Sequence, residues 1–348
     1  MTAHVTRSPH FVNGTEFDAY TLTAGDAVAK VWPTGFSLIH WSVGGREIVY
    51  CPPLDELVER PTRGGIPVLF PFPNRIRGGR FMVGATEYQL PLNDSTKQNA
   101  IHGFTPRVPW HAPEWCVEGD SHCWLRSTFD STAVDDGRAN WPGAYRLTLT
   151  IHLTPTSLRY VAQVENPGPT PLPFGLGYHP YFRTTPDSRL TTVARGRWDL
   201  QDNLPTGTVV PLDRLHDLRE PRLVSGLMLD DGYTDLPLAR GPREIARLID
   251  SDGVLAVIAD PNFRELVLFT PPHRQAIAIE PYTCPTDAVN LAAQGKDVGW
   301  RELGPSDTWT GNVEYKWIGE QEAGVVAAVG GSHPSLVARA EVRPEDGE

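Results

Sequence analysis

The 348 residues carry a formal net charge of −11, with 40% hydrophobic and 21% charged side chains, the balance of a soluble globular chain able to bury a large core. An acidic chain lacks the basic face that nucleic acid demands, and no apolar run reaches membrane-spanning length; residues 325–329 fall far short. Four cysteines without framework spacing (Cys51, Cys116, Cys123, Cys284) and an N-terminus with no apolar signal core lead us to expect a cytoplasmic protein.

Thirty-three prolines and 32 glycines, spread evenly, leave little room for long helices, and one short helical piece is expected around residues 54–59. Residues 64–79 hold three prolines, an Asn74-Arg75 pair and flanking glycines. They read either as an ordered loop displaying Arg75 or as a surface loop with solvated arginines. Residues 99–104 set His102 before a glycine, which alone says little. Residues 145–154 alternate apolar and polar, a strand with one wet face; residues 158–165 alternate again after a Pro-Thr-Ser turn, giving a hairpin.

In residues 174–182 a histidine, His179, stands between aromatics ahead of Pro180, with Gly175 and Gly177 before it. Proline stiffens the backbone and pushes His179 toward an extended conformation. The plainer alternative is an edge strand whose imidazole satisfies a local hydrogen bond. Residues 229–235 form an acidic turn with a doubled aspartate, Asp230 and Asp231. Residues 254–259 and 265–270 flank an Asp-Pro-Asn turn and are expected to form a second hairpin. Residues 276–280 form a strand ending on Glu280, stopped by Pro281, where burial would raise a carboxyl's pKa. Short strands at this spacing predict an all-β antiparallel sandwich or barrel as a single domain over residues 1–318, followed by a tail at 319–348.

In order along the chain, Asn74-Arg75 with Gly79-Arg80-Phe81, then Ile101-His102-Gly103, His179-Pro180-Tyr181-Phe182, Asp230 before an aromatic, and Glu280-Pro281-Tyr282-Thr283 with Asn290 resemble the aldose 1-epimerase (galactose mutarotase) family. The resemblance spans roughly residues 30 to 315. The Glu-Pro-Tyr-Thr wording, in place of Glu-x-Gln, is similar to a bacterial subgroup that includes sulfoquinovose mutarotases. The resemblance implies a galactose mutarotase-like antiparallel β-supersandwich and interconversion of the α and β anomers of a free aldose. It implies Glu280 as the base that deprotonates the anomeric hydroxyl and His179 as the acid at the ring oxygen, with His102 assisting. Arg75, Asn74, Asp230 (or Asp231) and Tyr181 would bind the sugar. No metal or organic cofactor is implied, and the partner is a small-molecule sugar, with the chain a monomer or homodimer.

Other classes stay open. Glu280 with Asp230 is a possible glycosidase carboxylate pair, although it leaves the histidines without a role. A carbohydrate-binding module would need neither His179 nor Glu280. A zinc site from His111, Cys116, His122 and Cys123 has odd spacing, and Gly175-x-Gly177 lacks the rest of a dinucleotide loop. Only four of the 31 basic residues are lysines, so an anion site would use arginine; Arg60, Arg63, Arg75, Arg77 and Arg80 cluster in sequence. That cluster raises an anionic sugar as an alternative substrate, against pairing of these arginines with Asp55, Glu56 and Glu59.

Overall fold

The computed structural model describes residues 2–133 and 141–320. The strands are antiparallel and gather into sheets of nine, eight and five strands with three small ribbons. The fold is a galactose mutarotase-like β-supersandwich. The first expected hairpin is present as Arg146–Leu153 against Ser157–Glu165, within the nine-stranded sheet. The expected helix is Leu54–Glu59. A second helix, Ala288–Ala293, was not anticipated; it starts after Asp287 in a left-handed conformation.

Two expectations fail. Gly253–Ala259 and Glu265–Phe269 are not a hairpin: the first pairs within the nine-stranded sheet, the second within the eight-stranded sheet. The turn between them is a crossover, held because the Asp260 carboxylate accepts from the Asn312 backbone N–H at 2.6 Å and its side-chain amide at 3.1 Å. Nor does Pro281 stop its strand, which runs Ala276–Tyr282. The backbone N–H groups of Ile279 and Thr283 point toward Pro180 and Leu176, so the missing N–H of Pro281 falls between them. There the neighbouring chain is itself broken into Gly177–Tyr178 and Tyr181–Arg183, and no ladder bond is lost.

Strand alternation decides which side chains meet. Ile277 and Ile279 point into the main core with Leu266 and Leu268, and Tyr178 meets Tyr160 of the nine-stranded sheet at 5.1 Å between ring centroids. The opposite parity, Glu280 and Tyr282 with Glu265, Val267 and Phe269 across the ladder, therefore lies on the far face of the eight-stranded sheet. Of the tail expected from residue 319, Gly319 ends the last strand, Thr308–Gly319, and residues 321–348 lie outside the described residues. No helix among the described residues is long and apolar enough to cross a membrane.

Candidate active site

The far face of that sheet is the floor of a polar cavity of about 520 Å³. His179 and Glu280 lie there, 6% and 1% exposed, with imidazole Nδ1 3.5 Å from carboxylate Oε2. The His179 backbone is fixed by its N–H donating to Pro67 O at 3.0 Å, and its ring stacks on Tyr181 with centroids 4.8 Å apart. Tyr181 is locked in turn by its hydroxyl on Thr62 O, 3.0 Å. The Tyr282 hydroxyl donates to Glu280 Oε2 at 2.5 Å.

Arg75 and His102 come together through a two-stranded ribbon in which Ile101 opposes Arg75, and the His102 N–H donates to Asn74 O at 2.8 Å. Asn74 and His102 both adopt positive φ, and Gly103 follows with φ +64°. A Cβ on Gly103 would stand 2.2 Å from Phe70 O, so only glycine lets the loop press against residues 70–74. The His102 and His179 rings meet edge to face at 5.3 Å. Arg75 donates to Asn74 Oδ1 at 3.1 Å, and its Nε lies 3.9 Å from Asp94.

Burial dominates the electrostatics. Desolvation drives Glu280 well above the ordinary carboxyl range; the Tyr282 hydrogen bond and Arg75 oppose this, and Asp230 adds to it. Desolvation pushes His179 down to about 3, with Arg63 adding, and holds His102 well below its usual value. All three groups are driven toward their neutral forms, so a single proton held by the His179–Glu280 pair lies on the carboxyl rather than on the imidazole.

The two aspartates separate by parity. Asp230 lines the cavity, whereas Asp231 turns to the opposite face, 3.8 Å from Arg197 and 3.7 Å from His216. The arginine cluster also divides. Arg60 and Arg63 line the cavity; Arg77 lies 3.5 Å from Asp287, and Arg80 donates to Gln89 at 2.7 Å. Among the described residues, Arg60 and Arg63 make no ion pair with Asp55, Glu56 or Glu59. No group of three or more metal-type ligands occurs among the described residues, and Cys123 points inward to Thr23 O.

A sequence profile of the aldose 1-epimerase family matches residues 18–316. The chain belongs to the aldose 1-epimerase family. It is 35% identical over 130 residues to the uncharacterized protein YphB of Escherichia coli K12 (37% of this chain, 41% of that protein). It is 30% identical over 162 residues to the galactose mutarotase of Mus musculus (42% and 43%). These alignments span less than half of either relative. A galactose mutarotase-like protein from Clostridium acetobutylicum shares the fold, with a TM-score of 0.81 at 21% identity, covering 91% of this chain and 99% of that one.

Around this cavity the structure adds residues that carry no motif in the sequence. Asp94, 3% exposed, accepts from the backbone N–H groups of Gln98 and Asn99 and from both of their neighbouring side-chain donors, Thr96 and Asn99. It fixes the turn that carries Lys97 to the cavity. Asp287 accepts the Arg77 N–H and the Asn290 amide and donates its own N–H to Arg75 O, so the second helix anchors the arginine strand. Tyr282 was detectable in principle, because the i, i+2 spacing puts it on the face of Glu280. Asp94 carries no such local signal.

Proposed function

We propose that this protein interconverts the α and β anomers of a free aldose by acid–base ring opening. The observation that carries this reading is the His179–Glu280 pair, nearly fully buried and 3.5 Å apart on the floor of a sugar-sized polar cavity. Transfer of the shared proton from Glu280 to His179 creates a carboxylate base and an imidazolium acid together. The carboxylate takes the anomeric hydroxyl proton while His179 protonates the ring oxygen. Rotation about C1–C2 of the aldehyde and closure on the other face reverse both transfers. His102, Arg75 and Asn74 hold sugar oxygens, Asp230 accepts from hydroxyls, and the Tyr181 ring forms an apolar wall. Asp231, directed away, is left out of this set. The chemistry needs no cofactor, since water alone already opens aldoses slowly and each positioned group contributes about 10²–10⁴-fold.

Freshly dissolved α-glucose and α-galactose should equilibrate faster with the protein, by polarimetry or NMR exchange, and still do so after EDTA treatment. Cleavage of aryl glycosides would instead support a glycosidase, and sugar binding without faster exchange a binding module.

A second reading, an anionic sugar, is favoured by one observation. Arg60, Arg63, Lys97 and Arg107 line the same cavity without an ion-pair partner among the described residues, in a chain of net charge −11. Guanidinium groups bind phosphate and sulfonate bidentately. Glucose 6-phosphate or sulfoquinovose should then exceed glucose in kcat/KM, with a preference that shrinks as salt is added. Equal rates for charged and neutral sugars would eliminate this reading.

A further inference from the structure

Within the ladder, Tyr282 lies directly opposite Gly177 of the segment that carries His179. A Cβ on Gly177 would stand 2.4 Å from Tyr282 Cδ1 and 2.6 Å from Cε1, so the ring occupies the space that the glycine leaves. Leu69 and Val267 pack around the same ring. This seat brings the hydroxyl to 2.5 Å from Glu280 Oε2, the oxygen that faces His179 Nδ1. The two stretches are about a hundred residues apart in sequence, and each supplies half of one device: the glycine makes room, and the phenol grips the carboxylate.

We propose that Tyr282 is the positioning residue for Glu280, seated over Gly177 so that its phenol favours the carboxylate form on which ring opening depends. The inference rests on the mutarotase reading above. A carboxyl inside an apolar wall is driven to keep its proton, and a buried neutral acid cannot act as base. A phenol O–H donates to a carboxylate more strongly than to a carboxylic acid, so its hydrogen bond selects the ionised form. The other charged or titratable groups facing Glu280 are His179 beside it, Arg75 from the ribbon, Asp230 from the strand beyond the adjacent one, and the Tyr181 phenol. Of these, Arg75 also favours the carboxylate and Asp230 opposes it. Tyr282 is the group in hydrogen-bond contact with the oxygen.

Tyr282→Phe keeps the ring in its seat and removes only the hydroxyl. Its kcat at pH 7 should fall about 10- to 100-fold, and the falling limb of its pH–rate profile, where Glu280 gives up the one proton of the pair, should move up by about one to two pH units, the loss of one charge-assisted hydrogen bond. KM should stay within about twofold, since the sugar does not touch the hydroxyl in this reading. A readout independent of turnover is the infrared carboxyl band of Glu280, isolated as the difference from Glu280→Gln and followed with pH. Its midpoint should rise in Tyr282→Phe by the same amount. Gly177→Ala, which keeps the phenol but displaces the ring, should lose activity in the same sense. Unchanged limb and midpoint in Tyr282→Phe would overturn the proposal, as would a Gly177→Ala protein with wild-type kcat. If the wild type shows no anomer exchange while the midpoint still moves, the hold of Tyr282 on Glu280 stands and the mutarotase reading falls.

Discussion

Replacing Glu265 by glutamine tests how strongly this fold forces a buried acid to stay neutral, at a carboxyl that the proposed chemistry does not use. Glu265 is 4% exposed on the cavity face of its strand, accepting from Trp198 Nε1 at 2.8 Å and from the Thr234 hydroxyl at 3.0 Å. Desolvation raises its pKa from 4.5 to about 8, against the lowering effect of those two donors and Arg264. The unfolded chain gives up this proton near pH 4.5, whereas the folded protein keeps it to about pH 8. Over that window the unfolded state binds fewer protons, so wild-type stability falls as pH rises, by about 1.4 kcal/mol per unit and about 5 kcal/mol in total. Glutamine matches the neutral acid: its carbonyl accepts from Trp198, and its amide donates to the Thr234 hydroxyl, which can rotate to accept. The second amide hydrogen contributes an offset that does not vary with pH. Urea unfolding of both proteins at several pH values from 5 to 8 gives the difference directly, because every other titrating group is common to both. Glu265→Gln should gain on the wild type steadily toward pH 8. Parallel stability curves would show that Glu265 is ionised in the folded state and refute the reasoning.

The proposed chemistry gives further outcomes. Glu280→Gln should still fold and unfold cooperatively and lower kcat for anomer exchange by at least about 10²-fold, and His179→Asn should do the same by removing the acid; near wild-type kcat in Glu280→Gln would contradict the assigned base. Arg75→Ala should act mainly on KM in steady-state exchange kinetics, because it holds sugar oxygens in ground and transition states alike. Gly103→Ala combines a residue at φ +64° with a Cβ 2.2 Å from Phe70 O, so it should lower unfolding stability by on the order of 3 kcal/mol in chemical denaturation.

The sequence alone determined the local pattern. Period-two alternation over residues 145–154 and 158–165 marked strands, because burial there follows which way the pleat turns each residue. Proline and glycine at Pro180, Gly175 and Gly177 marked a rigid segment around His179, because their backbone limits are intrinsic. Motif order pointed to the family. What the sequence could not settle were partners far apart in the chain. The turn at residues 260–264 carries the same residues whether it closes a hairpin or crosses between sheets, and Asp260 meeting Asn312 decided it. Pro281 reads as a strand end until the break in the neighbouring chain is known. Asp230 and Asp231 are chemically identical neighbours, and only the register against Phe269 and Leu268 turns one toward the cavity and the other away. Asp94, the Arg107 and Lys97 side of the rim, and the seat of Tyr282 over Gly177 likewise exist only once distant strands pair. Local propensity is a property of a residue and its neighbours. The desolvation that drives Glu280, His179 and Glu265 toward neutrality is a property of everything packed around them, and so belongs to the tertiary structure.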